Sequence, residues 1–96
     1  MTDRELLENA AKAVGGGAWH PLTHDTPNGR WNPLTDDGDA LRLAVKLRID
    51  LYFGRRGSVL AISHKGAVYD EQESADPYAA TRRAIVRAAA AIGAAK

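Results

Sequence analysis

"RIDLYFGRRGSVLAISHKGAVYDE", residues 48–71, decides the fold. Ile49, Leu51 and Phe53 alternate with Asp50 and Tyr52, the period-two pattern of a half-buried strand. Gly54-Arg55-Arg56-Gly57 has the composition of a turn. Val59 and Ala61 interleave with Leu60 and Ile62 in a short apolar run. His64-Lys65-Gly66 turns the chain again, and Ala67–Tyr69 returns. Three antiparallel strands are the simplest solution, and the flanking segments must then cover that sheet.

Immediately upstream, "WNPLTDDGDALRLAVKL" (31–47) predicts a helix. Pro33 cannot continue a central strand. Thr35 or Asp36 can supply an N-cap oxygen, and Asp36, Asp37 and Asp39 suit the positive end of the helix. Ala40, Leu41, Ala44, Val45 and Leu47 form its apolar stripe. Arg42, Lys46 and Arg48 lie towards the end where cations are favoured. Further upstream, residues 18–33 hold three prolines and an Asn28-Gly29 turn signal. They predict a short strand at Ala18–His20 and a second near Arg30–Asn32. This loop is also a natural place for contacts.

The chain opens with a helix. Thr2 and Glu5 have the spacing of a capping box. Leu6, Leu7, Ala10, Ala11 and Val14 make one stripe, and Gly15-Gly16-Gly17 ends it. The last helix begins at Asp76-Pro77, an N-cap with proline at the first helical position. Tyr78, Ile85, Ala88, Ala89 and Ile92 share a face, and Gly93 is expected to fray the end. The order helix, two short strands, helix, three strands, helix predicts a single α+β domain spanning 1–96, with three helices packed on an antiparallel sheet.

Ninety-six residues bury a modest core. Much of the 45% apolar share is alanine. The large core candidates are Trp19, Trp31, Leu41, Leu47, Leu51, Tyr52, Phe53, Leu60, Ile62, Tyr69, Tyr78, Ile85 and Ile92. Pairing into a homodimer would be an easy source of extra burial. There is no cysteine, which excludes disulfides and thiolate chemistry. Asp3-Arg4-Glu5 is not the start expected of a secretory signal. No apolar run has membrane-spanning length. Net charge is +1, yet residues 1–41 carry seven acids and three bases, whereas residues 42–96 carry five acids and ten bases. An acidic and a basic face are therefore allowed.

No constellation in the sequence spells out chemistry. Asp36, Asp37 and Asp39 around Gly38 lack the alternate spacing and the distant glutamate of a calcium loop, so they read as a capped helix start. His20 and His24, beside Asp25, have zinc-like spacing, but Pro21 intervenes and His64 is remote, so they read as loop histidines. Ser58, Ser63 and Ser74 lack a nucleophile-elbow context. Neither glycine cluster carries the Lys and hydroxyl ending of a phosphate loop. The chain is therefore expected to be non-enzymatic, with no cofactor and no metal. Two charged sets remain. Asp36, Asp37, Asp39, Asp70, Glu71 and Glu73 could dock an arginine-rich protein. Arg55, Arg56, Arg82, Arg83 and Arg87 could instead track nucleic-acid phosphates, although a solvated face is the simpler reading of both.

Three segments, "ELLENAAKAVG" (5–15), "WNPLTDDGDALRLAVKL" (31–47) and "DPYAATRRAIVRAAAAIG" (76–93), together resemble the phage ABA-sandwich family of small phage and prophage proteins. The resemblance implies helices on two sides of a small antiparallel sheet. It also implies expression from phage genes in the cytoplasm of a bacterial host. No catalytic residues carry over. By analogy with small accessory phage proteins, it implies a protein that binds and blocks a host complex such as a CRISPR–Cas or other anti-phage defence system.

Overall fold

The computed structural model describes residues 2–14, 25–26, 29–54, 57–64, 66–72 and 76–95. Its elements run α1 (Asp3–Ala13), β1 (Asp25–Thr26), β2 (Gly29–Arg30), α2 (Asp37–Leu47), β3 (Asp50–Phe53), β4 (Ser58–Ile62), β5 (Val68–Gln72) and α3 (Pro77–Ala94). This is the expected α+β order.

Each helix begins where a side chain satisfies its orphan N–H groups. At α1 the Thr2 hydroxyl accepts from Glu5 N at 3.2 Å, and Glu5 Oε1 accepts from Thr2 N at 3.0 Å. At α2 the cap is Asp36, whose Oδ2 accepts from Asp39 N at 2.8 Å; Thr35 instead turns back to the Asn32 carbonyl. At α3 one Asp76 oxygen accepts from both Tyr78 N and Ala79 N, with Pro77 opening the helix.

The end of α2 carries no glycine. Arg48 takes the left-handed conformation (φ 56°, ψ 47°). Arg48 N donates to the Val45 carbonyl and Ile49 N to the Ala44 carbonyl. That is the paired bonding of a Schellman motif. The accompanying apolar contact forms too, since Ile49 and Ala44 are both buried.

The expected three-stranded meander forms, in the order β3-β4-β5. Leu51 faces Ala61, which faces Tyr69; Phe53 faces Val59, which faces Glu71. Val59 and Ala61 are fully buried against the helices. The strands turn through Gly57 (φ 80°) and Gly66 (φ 89°), where only glycine is unstrained. The upstream hairpin differs from expectation. Asp25 pairs with Arg30 and Thr26 with Gly29, so the second strand is Gly29–Arg30 rather than Arg30–Asn32. Residues 18–20 and Trp19 lie outside the described residues, as does the Gly15–Gly17 stop.

α3 is the central element. It packs on α1, α2, β4 and β5. Ala84, Ile85, Val86, Ala88, Ala89, Ala90, Ile92 and Gly93 are all buried, so the helix is enclosed almost all round. Gly93 does not fray: it is buried within the helix. A Cβ there would lie 1.7 Å from the Asn9 carbonyl oxygen, so the glycine lets the α1 backbone touch α3.

The core is smaller in side-chain terms than expected. Trp31, Ile85 and Ile92 are buried, and Leu47, Leu51 and Tyr69 pack partly against them. Leu41, Tyr52, Phe53 and Tyr78, expected inside, are 57–69% exposed. On α2 the buried face is Asp39, Ala40, Leu43 and Ala44, and Val45 points outward with Leu41. Small alanines let α2 and α3 approach closely, and that choice turns the larger neighbours out. The resemblance implies helices on both sides of the sheet. Among the described residues, all three helices lie on the face that carries Val59 and Ala61.

Candidate functional site

The acids at the start of α2 are largely committed to the fold. Asp36 is the cap. Asp39 is 1% exposed, and both its oxygens are used: Oδ2 accepts from Asn32 N at 2.9 Å and Oδ1 from Arg42 Nη2 at 2.6 Å. Asn32 in turn closes an Asx turn, its Oδ1 accepting from Leu34 N. The Trp31-Asn32-Pro33 segment is thereby bolted to the first turn of the helix, with Trp31 buried at its root. Asp37 is the outward member of the three, and Arg82 reaches it at 2.6 Å.

The arginines of α3 serve a similar purpose. Arg82 donates from Nε to the Leu34 carbonyl at 2.8 Å as well as to Asp37. Arg83 reaches Asp3 of α1 at 3.1 Å. Arg87 pairs with Glu71, donates to the Asp70 carbonyl at 3.0 Å and lies over the Tyr69 ring. Three arginines of one helix therefore clasp three different elements. Of both charged sets, only Asp70 has a side chain that is exposed with no ion pair among the described residues. Arg55, Arg56 and Glu73 lie outside the described residues.

Catalytic geometry is equally sparse among them. No group of three or more His, Asp or Glu could hold a metal ion. His64 is exposed and Ser63 buried, while His20, His24 and Ser74 fall outside. At Glu5, hydrogen bonds from the Thr2 backbone N–H and then its hydroxyl hold the carboxyl below its usual range. No described helix is long and apolar enough to cross a membrane.

Among the described residues, apolar surface remains in two places. The first is the sheet face turned away from the helices. Register puts Tyr52, Leu60 and Asp70 in one row across it, and Asp50, Ile62 and Val68 in the next. Tyr52 is 60% and Val68 53% exposed, and Leu60 and Ile62 are half-buried between them. The face is an apolar centre with two acids, Asp50 and Asp70, on its rim. The signal was present in the sequence: the apolar run Val59–Ile62 puts large side chains on both faces of β4. The second place is a groove of about 500 Å³ between α2, β3 and the start of α3. Leu41, Leu51, Phe53, Tyr78 and Ile85 line it. Comparison with protein-family models, curated proteins and solved structures gives no match.

Proposed function

We propose that this chain is a non-enzymatic, phage-encoded protein-binding module that docks onto a host protein complex, such as a CRISPR–Cas or other anti-phage defence assembly, in the host cytoplasm. One observation carries the proposal: a sheet face that no described element covers, with Tyr52, Leu60, Ile62 and Val68 at its centre and Asp50 and Asp70 at its rim. Contiguous exposed apolar surface with a polar rim is what protein interfaces use. The rim acids favour a partner that presents Arg or Lys, as the surfaces of nucleic-acid-handling complexes do. Of that set, Asp70 is the described acid whose side chain is exposed and carries no ion pair, so this reading assigns recognition to it first. The phage origin and the defence target rest on the resemblance of the three helical segments.

The test is affinity capture from host lysate with the wild-type chain and with Val68→Lys, which places a charge in the middle of the face. A defined protein complex retained by the wild type and lost by the variant, with unchanged thermal stability, supports the proposal. Capture of nucleic acid alone, or an identical set with both baits, overturns it.

A further inference from the structure

The two edges of the sheet are treated differently. Gly54 N donates to the Ser58 carbonyl at 2.8 Å, which marks 54 and 58 as a hydrogen-bonded pair. In an antiparallel ladder such pairs alternate, so Tyr52/Leu60 and Asp50/Ile62 are bonded as well. The N–H and C=O groups of Leu51 and Phe53 therefore point away from β4, out of the free edge of β3. The same alternation, started from Ser63 N donating to Ala67 O, turns the backbone groups of Val68 and Asp70 out of the β5 edge. There, Arg87 caps the Asp70 carbonyl, pairs with Glu71 and covers Tyr69. A long charged side chain across an edge is a device that prevents strand addition. No described side chain or backbone group bonds to the β3 edge in this way. Four apolar side chains flank that edge, Leu41, Val45, Phe53 and Tyr78, each more than half exposed, with Arg48 and Asp50 at its start.

We propose that the free edge of β3 is where a second copy of this chain joins, making a two-fold dimer with one continuous six-stranded sheet. The surface is self-complementary. A two-fold axis through Tyr52 sets Leu51 opposite Phe53 of the other copy, and Phe53 opposite Leu51. This register engages the outward N–H and C=O of both residues in both copies. It also sets Asp50 opposite Gly54, so no acid meets its own image. The two Tyr52 rings meet at a non-hydrogen-bonded pair, where cross-strand side chains come closest. On the helix side, Leu41 and Val45, one turn apart on α2, approach their counterparts and close the groove. Four large side chains leaving water per copy is the scale of burial that specific dimers need, on the order of 800 Å² a side in all. A chain whose own core is built largely from alanine gains most from it. This pairing shares Tyr52 with the proposed docking face but not Val68, so Val68→Lys tells the two apart.

The experiment is sedimentation equilibrium on the purified full chain from about 1 to 100 μM, a range that brackets ordinary dimer affinities. Wild type is expected at twice the chain mass. Leu51→Pro removes an N–H that points out of an edge strand, a position where proline is tolerated. Phe53→Lys brings like charges across the axis and does not rely on the backbone. Each is expected to weaken the dimer at least tenfold, while Val68→Lys leaves it unchanged. A wild-type chain that stays monomeric over the whole range overturns the proposal. So does a dimer that Phe53→Lys leaves intact, whether or not Leu51→Pro folds.

Discussion

Replacing Gly93 with alanine separates two views of that residue. If the glycine only loosened a helix end, Gly93→Ala would stabilise the protein by about 1 kcal/mol through helix propensity. The packing says the reverse. An added Cβ would sit 1.7 Å from Asn9 O, 2.7 Å from Asn9 C and 3.1 Å from Ala13 N, all of them backbone atoms. The closest C···O contacts in proteins are near 3.3 Å, so α1 must withdraw by about 1.6 Å. No rotamer can relieve the clash. A gap of even ~1 Å forfeits up to about half of the dispersion energy across it, and the α1 face of Leu6, Ala10, Ala13 and Val14 would lose it together. Overpacking of this kind costs about 3 kcal/mol or more. After the propensity gain, about 2 kcal/mol of net destabilisation remains. For a domain of this size that lowers Tm by about 8–16 °C. Thermal and urea unfolding followed by circular dichroism would measure it. A variant at or above the wild-type Tm refutes the close approach of α1 and α3.

Arg48→Gly relieves a left-handed non-glycine residue at the α2 terminus and is expected to raise stability by about 0.5–1 kcal/mol, read as a shifted urea midpoint at constant m-value. Asp39→Ala strands the Asn32 N–H and frees Arg42, so it should cost about 2 kcal/mol and loosen the environment of Trp31, visible in tryptophan fluorescence. Calcium, magnesium and a chelator should each leave the melting curve unmoved, because the aspartates at the α2 start are already committed; a shift of several degrees that Asp37→Asn abolishes would refute this. Glu5 has a depressed folded pKa, so its contribution is present above the unfolded value and is lost as pH falls through the folded one. The Tm difference between wild type and Glu5→Gln should accordingly shrink towards zero on acidification from pH 7, and a difference independent of pH would contradict the capping box.

The caps were legible because they are local. Thr2 with Glu5, Asp36, and Asp76 before Pro77 each act within four residues, and no distant contact competes with them. The meander was legible from its period and its glycines. The buried face of α2 was not. Apolar residues at 40, 41, 43, 44, 45 and 47 offer more than one stripe, and α3, over thirty residues away in sequence, selects the one with small side chains. Gly93 looked like a terminus because its reason, the Asn9 carbonyl, lies more than eighty residues upstream. Arg48 in the left-handed region carries no sequence signature at all. The candidate site shares this pattern. Its charged residues were visible as a list, but only the fold reveals that Arg82, Arg83 and Arg87 are occupied and that Tyr52 and Val68 are not.

The enclosure of α3 bears on how the protein is made. The sheet, α1 and α2 emerge from the ribosome before the helix they pack against, leaving Val59, Ala61 and the inner face of α1 wet. At elongation speeds of about 5–20 residues per second the eighteen residues of α3 take about 1–4 s to synthesise. Until α3 docks, the chain has strands with two bare faces and an unguarded β5 edge, since Arg87 is not yet in place. Burial of Val59 and Ala61 therefore waits on α3, and expression yield should fall when chaperone access in those seconds is reduced.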